Sequence, residues 1–315
     1  MLTIRNLSKT YPNGTQALRG ISIDIPKGMF GLLGPNGAGK STLMRTLATL
    51  QDADHGEATL TAGSGNIDVL KDHGAVRKTL GYLPQDFGVY PKVSAIEMLD
   101  HFARLKGFSK KGERREVVES LLKQVNLWDV RKKALGGFSG GMRQRFGIAQ
   151  ALIGNPQLVI VDEPTAGLDP EERVRFHNLL AEIGENVVVI LSTHIVQDVS
   201  DLCGRMAIIN KGELLLEGAP LEMLALVQGR VWCKTVARTA VEEAKKAYPV
   251  ISTRLVSGHT VINVYADVQP GAEFDAAEIT LEDVYFASIH GHLRNGNATT
   301  PATTHAASAG AGVPQ

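Results

Sequence analysis

A glycine-rich segment near the N-terminus has the composition of a phosphate-binding loop. The segment GPNGAGKST covers residues 34–42, follows a strand-like run and opens a helical one. Its glycines would let backbone N–H groups approach phosphates closely, Lys40 would reach the outer phosphates, and the Ser41 hydroxyl could bind Mg²⁺. These residue types in this order predict a site for a nucleoside triphosphate.

Two acids that could act on such a nucleotide follow a second apolar run. The segment LVIVDE covers residues 158–163 and ends in Asp162 and Glu163. Asp162 can hold a metal ion through water, and Glu163 can polarise an attacking water molecule. Apolar strands that end in acids are common. Here the position downstream of a phosphate loop, which needs a second metal partner, favours a catalytic pair.

A second candidate anion site lies at residues 138–145, FSGGMRQR. Ser139, Gly140 and Gly141 precede a run that is predicted to be helical, and the N-terminus of a helix attracts anions through its unpaired N–H groups and its dipole. A single nucleotide has only one triphosphate, so a second site needs a phosphate from elsewhere. The alternative is that Ser139 merely caps the helix, which any serine can do.

The composition limits the partners of the chain. With 315 residues, 43% of them hydrophobic and 21% charged, it can form a full α/β core and a smaller appendage. Lys and Arg together number 33, as do Asp and Glu, so no net charge attracts nucleic acid or anionic lipid, and no nucleic-acid partner is expected. The basic stretch at 104–115 is interpreted as a solvated helix junction.

Cysteine use and hydropathy predict a cytosolic chain. Cys203 and Cys233 have neither metal-ligand spacing nor the framework of a secreted protein, which is typical of a reducing compartment. The N-terminus lacks the layout of a signal peptide, and the longest apolar runs are too short to span a bilayer. If a membrane is involved in function, we expect another chain to provide it.

Strand and helix patterns alternate along most of the chain. Residues 19–25 alternate between isoleucine and polar side chains, as in a half-buried antiparallel strand. Residues 29–34, 158–163 and 187–193 are almost entirely apolar, as in parallel strands that are covered on both faces. We therefore predict a mixed central sheet, largely parallel with an antiparallel edge, and a helical insertion between 94 and 155.

The C-terminal third divides into a hairpin, a module and a tail. Residues 206–218 predict a hairpin that closes a first domain at 1–220. Its Asn-Lys-Gly-Glu segment is interpreted as a turn, because a guanine-reading motif would end in Asp. Residues 221–290 predict a small β-α-β-β module that ends in a helix, and 291–315 predict a disordered tail that is poor in large apolar residues.

Five motifs in a fixed order resemble those of the nucleotide-binding subunit of an ABC transporter. They are the phosphate loop (Walker A) and the segments FSGGM at 138–142, VDEP at 161–164, AGLD at 166–169 and STH at 192–194. The resemblance covers about residues 1–220. It implies the α/β fold of a P-loop ABC ATPase with a helical subdomain, ATP and Mg²⁺ as ligands, and ATP hydrolysis as the activity.

The resemblance also implies roles for single residues. Tyr11 would stack on adenine, Gln85 would contact Mg²⁺ beside the membrane partner, His194 would touch the γ-phosphate, and Asp169 would link two halves of a dimer. The alternatives are turn packing for Tyr11, solvation of a loop for Gln85 and helix capping for Asp169. The implied nucleotide-binding set is Tyr11, Gly34, Pro35, Asn36, Gly37, Ala38, Gly39, Lys40, Ser41, Thr42, Gln85, Ser139, Gly140, Gly141 and Asp169. Glu163, His194 and Lys40 are the implied catalytic residues, and Ser41, Gln85 and Asp162 are the implied metal ligands.

The variant of the signature motif indicates a subgroup. The commonest form is Leu-Ser-Gly-Gly-Gln, whereas this chain has Phe138 and Met142. Ser-Gly-Gly-Met followed by Arg-Gln-Arg, and the segment at 279–291, resemble the ABC-2 exporters of drugs, lipids, polysaccharides and ions. The implied partners are a second copy of the same or a related ATPase subunit and integral membrane permease subunits, with the chain peripheral on the cytoplasmic side of the cell membrane.

Two other functions compete with export. One is an import-type ABC ATPase subunit, which the signature variant and the C-terminal module disfavour. The other is a soluble ABC ATPase that acts on ribosomes or DNA. Ribosome-acting members usually carry two cassettes, and DNA-repair members carry a long coiled coil between the Walker motifs. This sequence has neither feature.

Overall fold

The computed structural model describes residues 1–63, 65–185 and 187–294. Within these residues the strands are β1 Leu2–Thr10, β2 Gln16–Ile25, β3 Gly28–Leu33, β4 His55–Ala62, β5 Gly65–Asp68, β6 Leu80–Leu83, β7 Leu158–Asp162, β8 Val188–Thr193, β9 Arg205–Asn210, β10 Glu213–Gly218, β11 Val231–Val236, β12 Val250–Val256, β13 His259–Tyr265 and β14 Asp275–Ala276. The α-helices are α1 Lys40–Leu47, α2 His73–Thr79, α3 Ala95–Leu105, α4 Lys111–Gln124, α5 Gly140–Ala151, α6 Pro170–Gly184, α7 Val196–Leu202, α8 Pro220–Ala225, α9 Val241–Ala247 and α10 Leu281–Ile289.

The central sheet has six strands in the order β10-β9-β3-β8-β7-β6. All neighbours are parallel except β10, which pairs antiparallel with β9. The central sheet therefore has an antiparallel edge as predicted, but β10 forms it and not the strand at residues 19–25. Both faces of the sheet are covered. In β7, Leu158 and Ile160 belong to one buried cluster, whereas Val159 and Val161 belong to the other. Burial on both faces explains why these strands are almost entirely apolar in sequence.

A separate four-stranded antiparallel sheet has the order β2-β1-β4-β5. In β2, the side chains of Ile21, Ile23 and Ile25 are buried, whereas Ser22 is exposed, which confirms the predicted alternation. The buried face joins the same cluster as Phe30 of β3. The alternating strand therefore does not form the edge of the central sheet but lies in a layer beside it.

Helices α3, α4 and α5 fill the predicted helical insertion between β6 and β7. Their buried side chains include Leu99, Leu122 and Phe146. Helix α3 begins with a capping box, in which the backbone N–H of Ser94 donates to the Glu97 carboxylate at 3.0 Å while the Ser94 hydroxyl accepts from the Glu97 N–H at 3.4 Å. This insertion positions Ser139 and its glycines at the start of α5.

The basic stretch at 104–115 is only partly solvated, so its interpretation as a solvated junction is wrong for two residues. The Arg114 guanidinium is buried and donates to Asp100 Oδ1 at 2.9 Å and to the carbonyl oxygen of Ser109 at 2.9 Å. Lys106 donates to the carbonyl oxygens of Arg77 and Leu80, each at 2.8 Å. Both cations therefore donate to backbone carbonyl oxygens at the ends of neighbouring elements and are not simply solvated.

The turn between β9 and β10 confirms the predicted hairpin. Lys211 and Gly212 both have positive φ, 50° and 81°, as the central residues of a type I′ turn require. The Gly212 N–H donates to the Ala38 carbonyl oxygen at 2.9 Å, and the Gly212 carbonyl oxygen accepts from the Arg19 N–H at 2.8 Å. The turn therefore closes the hairpin and also holds the phosphate loop through its hydrogen bond to Ala38.

The C-terminal part contains a four-stranded antiparallel sheet in the order β12-β13-β11-β14, with α9 and α10. The short strand β14 was not predicted from the sequence. Buried Val284 and Ala287 of α10 belong to the same cluster as Val199 of α7, and α10 packs on α7 and α8. The C-terminal part is thus joined to the α7 side of the first 220 residues by a continuous apolar core.

The last described residues follow α10 closely. Leu293 is buried, and the His292 ring stacks on the Tyr265 ring with 5.0 Å between centroids. Most of the predicted tail, residues 295–315, lies outside the described residues. No helix within the described part of the chain is both long and apolar enough to cross a bilayer.

Candidate functional site

A cavity of about 870 Å³ lies at the carboxyl ends of the central strands, against the N-terminal sheet. The strands β3, β7 and β8 deliver the phosphate loop, the acid pair and the segment of His194 to this edge. The cavity is lined by Tyr11, Thr15, Gln16, Ala17, Arg19, Pro35, Asn36, Gly37, Ala38, Gly39, Lys40, Ser41, Thr42, Gln85, Glu163, Ala166, His194 and Lys211.

The phosphate loop needs its glycines for conformation and for packing. Gly37 and Gly39 have φ values of 78° and 106°, in the region that side chains rarely adopt. A Cβ on Gly39 would collide with the carbonyl oxygen of Ala17, and one on Gly34 with that of Ile209. Helix α1 begins directly after Gly39 without a side-chain cap. Its first N–H groups are therefore available to a phosphate.

Lys40 lies over the loop that precedes it. The side chain is 5% exposed, and Nζ donates to the carbonyl oxygens of Gly34 at 2.6 Å and Pro35 at 3.2 Å. Burial lowers the pKa of Lys40, and the charges of Glu163 and Asp162 act in the opposite direction. The amine is thus held at the phosphate loop within the field of both acids.

Glu163, His194 and Gln85 meet at the far side of the cavity. One carboxylate oxygen of Glu163 lies 3.1 Å from His194 Nδ1, and the other accepts from Gln85 Nε2 at 3.3 Å. Glu163 has φ of 46°, and its N–H donates to the Ser192 carbonyl oxygen at 2.8 Å. This left-handed backbone turns the side chain, which is 12% exposed, out of the sheet and into the cavity.

Asp162 occupies the last position of β7 and is buried. Burial raises the pKa of its carboxyl group, and the neighbouring Glu163 charge acts in the same direction. Within the described residues, no group of three or more His, Cys, Asp or Glu side chains could hold a metal ion. Ser41 and Gln85 line the cavity, whereas Asp162 is buried and is not part of its lining. The oxygen donors of these three predicted ligands are nevertheless of the type that suits Mg²⁺, which is usually bound by one or two carboxylates together with substrate phosphates.

Tyr11 lies at the wall of the cavity. Its hydroxyl donates to Gln51 Oε1 at 3.1 Å and lies 3.2 Å from Thr42 Oγ1. Its backbone also belongs to a turn, because the Tyr11 N–H donates to the Thr15 carbonyl oxygen at 2.9 Å. The turn contact that the sequence offered as an alternative is therefore present, and the ring still lines the cavity where a base could stack.

The second anion site is not brought into this cavity. Ser139 and Gly140 are exposed, and neither they nor Gly141 line the cavity. The Ser139 hydroxyl caps α5 by accepting from the Met142 N–H at 3.2 Å. A Cβ on Gly141 would collide with the Glu172 side chain, so this glycine also permits α5 to pack on α6.

Asp169 also lies outside the cavity, on an exposed segment. Its carboxylate caps α6 by accepting from the Glu172 N–H at 2.9 Å. The chain therefore brings together the predicted residues of the phosphate loop, Tyr11, Gln85, Glu163 and His194. It leaves the second set, Ser139 to Gly141 and Asp169, facing solvent or neighbouring helices.

Phe138 has a structural role at its unusual position. Its side chain is buried, and its ring lies edge-on to Phe146, with 6.4 Å between the centroids and 86° between the planes. Phe138 therefore packs into the core of the helical insertion in the place that leucine takes in the commonest form of the motif. Met142 packs against the same cluster and is partly exposed.

Sequence reasoning did not identify several residues that support the site. Gln51 holds Tyr11 and also donates to the Thr42 carbonyl oxygen at 3.0 Å. The hydroxyl of Thr165, two residues after Glu163 in the chain, donates to the buried Asp198 carboxylate at 2.6 Å. The available signals were weak: Thr165 lies between two recognised motifs, and Asp198 follows His194 by four residues on the next helix.

Known proteins share the sequence pattern. Residues 18–166 match the family described as "ABC transporter". The chain is 32% identical over 306 residues to "Uncharacterized ABC transporter ATP-binding protein YxlF" of Bacillus subtilis, an alignment that covers 92% of this chain and 100% of that protein. It is 33% identical over 268 residues to "Probable multidrug ABC transporter ATP-binding protein YbhF" of Escherichia coli, which covers 83% of this chain and only 45% of that longer protein.

A solved structure shares the fold. The chain is similar to the dimeric, post-hydrolysis structure of the ATP-binding cassette MJ0796 bound to ADP and Pi, with a TM-score of 0.62 and 27% identity. The similarity covers 70% of this chain and 98% of that one. The predicted α/β cassette with a helical subdomain is confirmed by this likeness and by the observed sheet order.

Proposed function

This chain belongs to the ABC transporter family and is an ATP-binding, ATP-hydrolysing subunit, and we propose that it dimerises head to tail on ATP and drives a separate membrane permease. The observation that carries this proposal is the separation of the two anion sites. The phosphate loop lines the cavity, whereas the Ser139 segment lies on an exposed surface of the same chain. A second copy can bring its own Ser139 segment to that cavity.

Within one chain, each of these residues has a separate role in binding or hydrolysing ATP. Lys40 and the free N–H groups of α1 bind the phosphates. Glu163, held against His194 and Gln85, orients a water molecule and takes its proton. Mg²⁺ bound by Ser41, Gln85 and Asp162 would neutralise phosphate charge. Tyr11 offers its ring to the adenine at the wall of the cavity.

Across the dimer, each ATP would lie between Lys40 of one chain and Ser139, Gly140 and Gly141 of the other. A γ-phosphate that is contacted from both chains favours closure, and its loss removes those charge-assisted hydrogen bonds so that the pair opens. The dimeric state of the similar MJ0796 cassette supports this arrangement. Asp169, exposed at the start of α6, would add a contact between the chains.

Complementation tests the exchange of sites. Lys40→Ala damages the phosphate loop, and Ser139→Arg blocks the second anion site. In a mixed dimer, one composite site carries both changes and the other is intact, so ATPase activity should return relative to either variant alone. Once mixed dimers are verified, absence of any returning activity would contradict either formation of the sites in trans or the ability of one intact site to turn over.

We further propose that the permease is an exporter of the ABC-2 kind, for a drug, lipid, polysaccharide or ion. The Ser-Gly-Gly-Met signature and the multidrug name of the Escherichia coli relative support export. The chain would then be peripheral on the cytoplasmic side of the membrane, and it would act on the permease near Gln85. Residues 221–290 would contribute dimer contact or regulation, while residues 1–220 carry the chemistry.

Inverted vesicles that contain the chain and a permease encoded beside it test the direction. Export from the cell becomes ATP-dependent uptake into such vesicles, and vesicles with Lys40→Ala are the matched control. Uptake of a compound that also stimulates the ATPase would support the proposal. ATP-driven loss of preloaded compound would instead indicate an importer, and ATPase stimulation by ribosomes or DNA would indicate the soluble class.

A further inference from the structure

A buried carboxylate outside the cavity joins the segments that carry the site residues. Asp198 on α7 is 0% exposed. Its Oδ2 accepts from Thr165 Oγ1 at 2.6 Å, while its Oδ1 lies 2.8 Å from Arg173 Nε and 2.9 Å from His177 Nε2. Both oxygens of the carboxylate therefore have partners, and these partners come from two other segments of the chain.

General stability is a weak explanation for this arrangement. Removing a carboxylate from water costs several kcal/mol, and apolar side chains of similar volume often stabilise a core as well as a buried ion pair does. A fully paired buried charge does, however, fix the relative placement of the groups that surround it. The segments that Asp198 connects are therefore the informative feature.

The first connection is between the segment that carries Glu163 and the segment that carries His194. Thr165 follows Glu163 by two residues, in the loop whose backbone is left-handed at Glu163. Asp198 follows His194 by four residues, in the first turn of α7. The contact between Thr165 and Asp198 thus clamps the loop after Glu163 to the helix after His194. The side chains of Glu163 and His194 meet at 3.1 Å in the cavity.

The second connection is to α6. Arg173 and His177 are four residues apart, so they lie on the same face of this helix. Helix α6 begins directly after Asp169, whose carboxylate caps it. The carboxylate of Asp198 therefore also ties the helix that starts at the proposed dimer contact to the segment of His194.

We propose that Asp198 is a positioning residue for ATP hydrolysis. Through Thr165 it fixes the position of the Glu163 side chain relative to His194. Through Arg173 and His177 it also fixes the position of α6 relative to both. Asp198 does not touch the nucleotide cavity, so it acts only through these partners. The inference rests on the proposed role of Glu163 in orienting water.

The test compares two substitutions of Thr165 that differ in one hydroxyl. Thr165→Val keeps the shape and removes the donor to Asp198, whereas Thr165→Ser keeps the donor. We expect Thr165→Val to lower kcat by about tenfold to a hundredfold, because small misplacements of catalytic groups have effects of this size. The Kd of Thr165→Val for ATP should stay near the wild-type value. Thr165→Ser should have a kcat near that of the wild type. If Thr165→Val does not fold, Thr165→Ala replaces it in the same comparison, because it also lacks the hydroxyl donor.

A remote destabilising substitution provides the control for folding. Leu60 of β4 is fully buried and belongs to a different buried cluster from Val199 of α7, so Leu60→Ala should lower the thermal midpoint without lowering kcat of the folded protein. Wild-type kcat in Thr165→Val would overturn the proposal. Equal losses in Thr165→Val and Thr165→Ser, each in proportion to the unfolded fraction, would overturn it in favour of a purely structural contact.

Two further measurements separate the inference from the proposed function. Full turnover in Glu163→Gln would reject the role of Glu163 itself, whereas an inactive Glu163→Gln with full turnover in Thr165→Val would reject only the positioning role. In a His194→Ala background, the kcat loss caused by Thr165→Val should be smaller than in the wild type, because the two residues act on one arrangement. Equal losses in the two backgrounds would contradict the proposal.

Discussion

Replacement of Glu163 by glutamine tests the proposed catalytic base with little change of shape. The amide keeps an oxygen and a donor at the positions that face Gln85 and His194, at 3.3 and 3.1 Å, but it cannot take a proton from water. A general base contributes typically about 10² to 10⁴ in rate, which is roughly 2.7 to 5.4 kcal/mol at about 1.36 kcal/mol per factor of ten. Because the Glu163 side chain is only 12% exposed, bulk water does not readily replace it.

The assay is single-turnover hydrolysis together with equilibrium binding of ATP. We expect Glu163→Gln to slow hydrolysis by at least about a hundredfold and to retain ATP, so that nucleotide is trapped. Glu119→Gln is the matched control, because Glu119 pairs with Lys123 at 2.8 Å on the surface of α4. It should change the rate by no more than about twofold. Hydrolysis by Glu163→Gln at the wild-type rate would refute the assigned role.

Three further substitutions or deletions have defined outcomes. Lys40→Ala should weaken ATP binding by about ten- to a hundredfold, the equivalent of one hydrogen bond to a charged group, and unchanged affinity would remove Lys40 from the site. Burial raises the pKa of the Asp162 carboxyl group above its value in the unfolded chain. The buried group therefore does not lower the free energy of unfolding below the pKa of the unfolded chain, where it is protonated in both states. Its burial lowers the free energy of unfolding progressively as pH rises through the folded-state pKa, where the buried group ionises. Without metal and nucleotide, Asp162→Asn should therefore raise the thermal midpoint more at pH 7 than at pH 4, and equal shifts would contradict this. Deletion of residues 221–315 should retain nucleotide binding but lower the free energy of unfolding by several kcal/mol, because buried Met223 and Val284 alone contribute roughly 1.5–3 kcal/mol each; loss of nucleotide binding in a folded truncation would contradict the division of roles.

The parts of the fold that follow from local patterns were predictable from the sequence. The alternation in β2, the apolar runs of β7 and β8, and the turn at Lys211 and Gly212 depend on periodicity and backbone conformation within a few residues. The family followed from five motifs in a fixed order, and the similarity to known ABC transporter proteins confirms it.

The parts that depend on contacts distant in sequence were not predictable. The placement of β2 in a separate sheet depends on which strands pair, and the burial of Arg114 depends on the position of Asp100 on another helix. Thr165 and Asp198 lie 33 residues apart, and neither sequence neighbourhood signals the other. Such residues become visible only when the chain is folded, whereas the phosphate loop is contiguous.

An ATP-dependent crosslink tests most directly whether two chains share each nucleotide site. One chain carries Ser41→Cys and the other Ser139→Cys, both with Glu163→Gln to retain ATP. Both also carry Cys233→Ser, because Cys233 is partly exposed, whereas Cys203 is buried. The account predicts a crosslink between the two chains that forms with ATP and not without it. No crosslink between chains that demonstrably hold ATP would contradict the head-to-tail dimer. A third variant carries Ser41→Cys and Ser139→Cys on the same chain, and a crosslink within that chain would also contradict it.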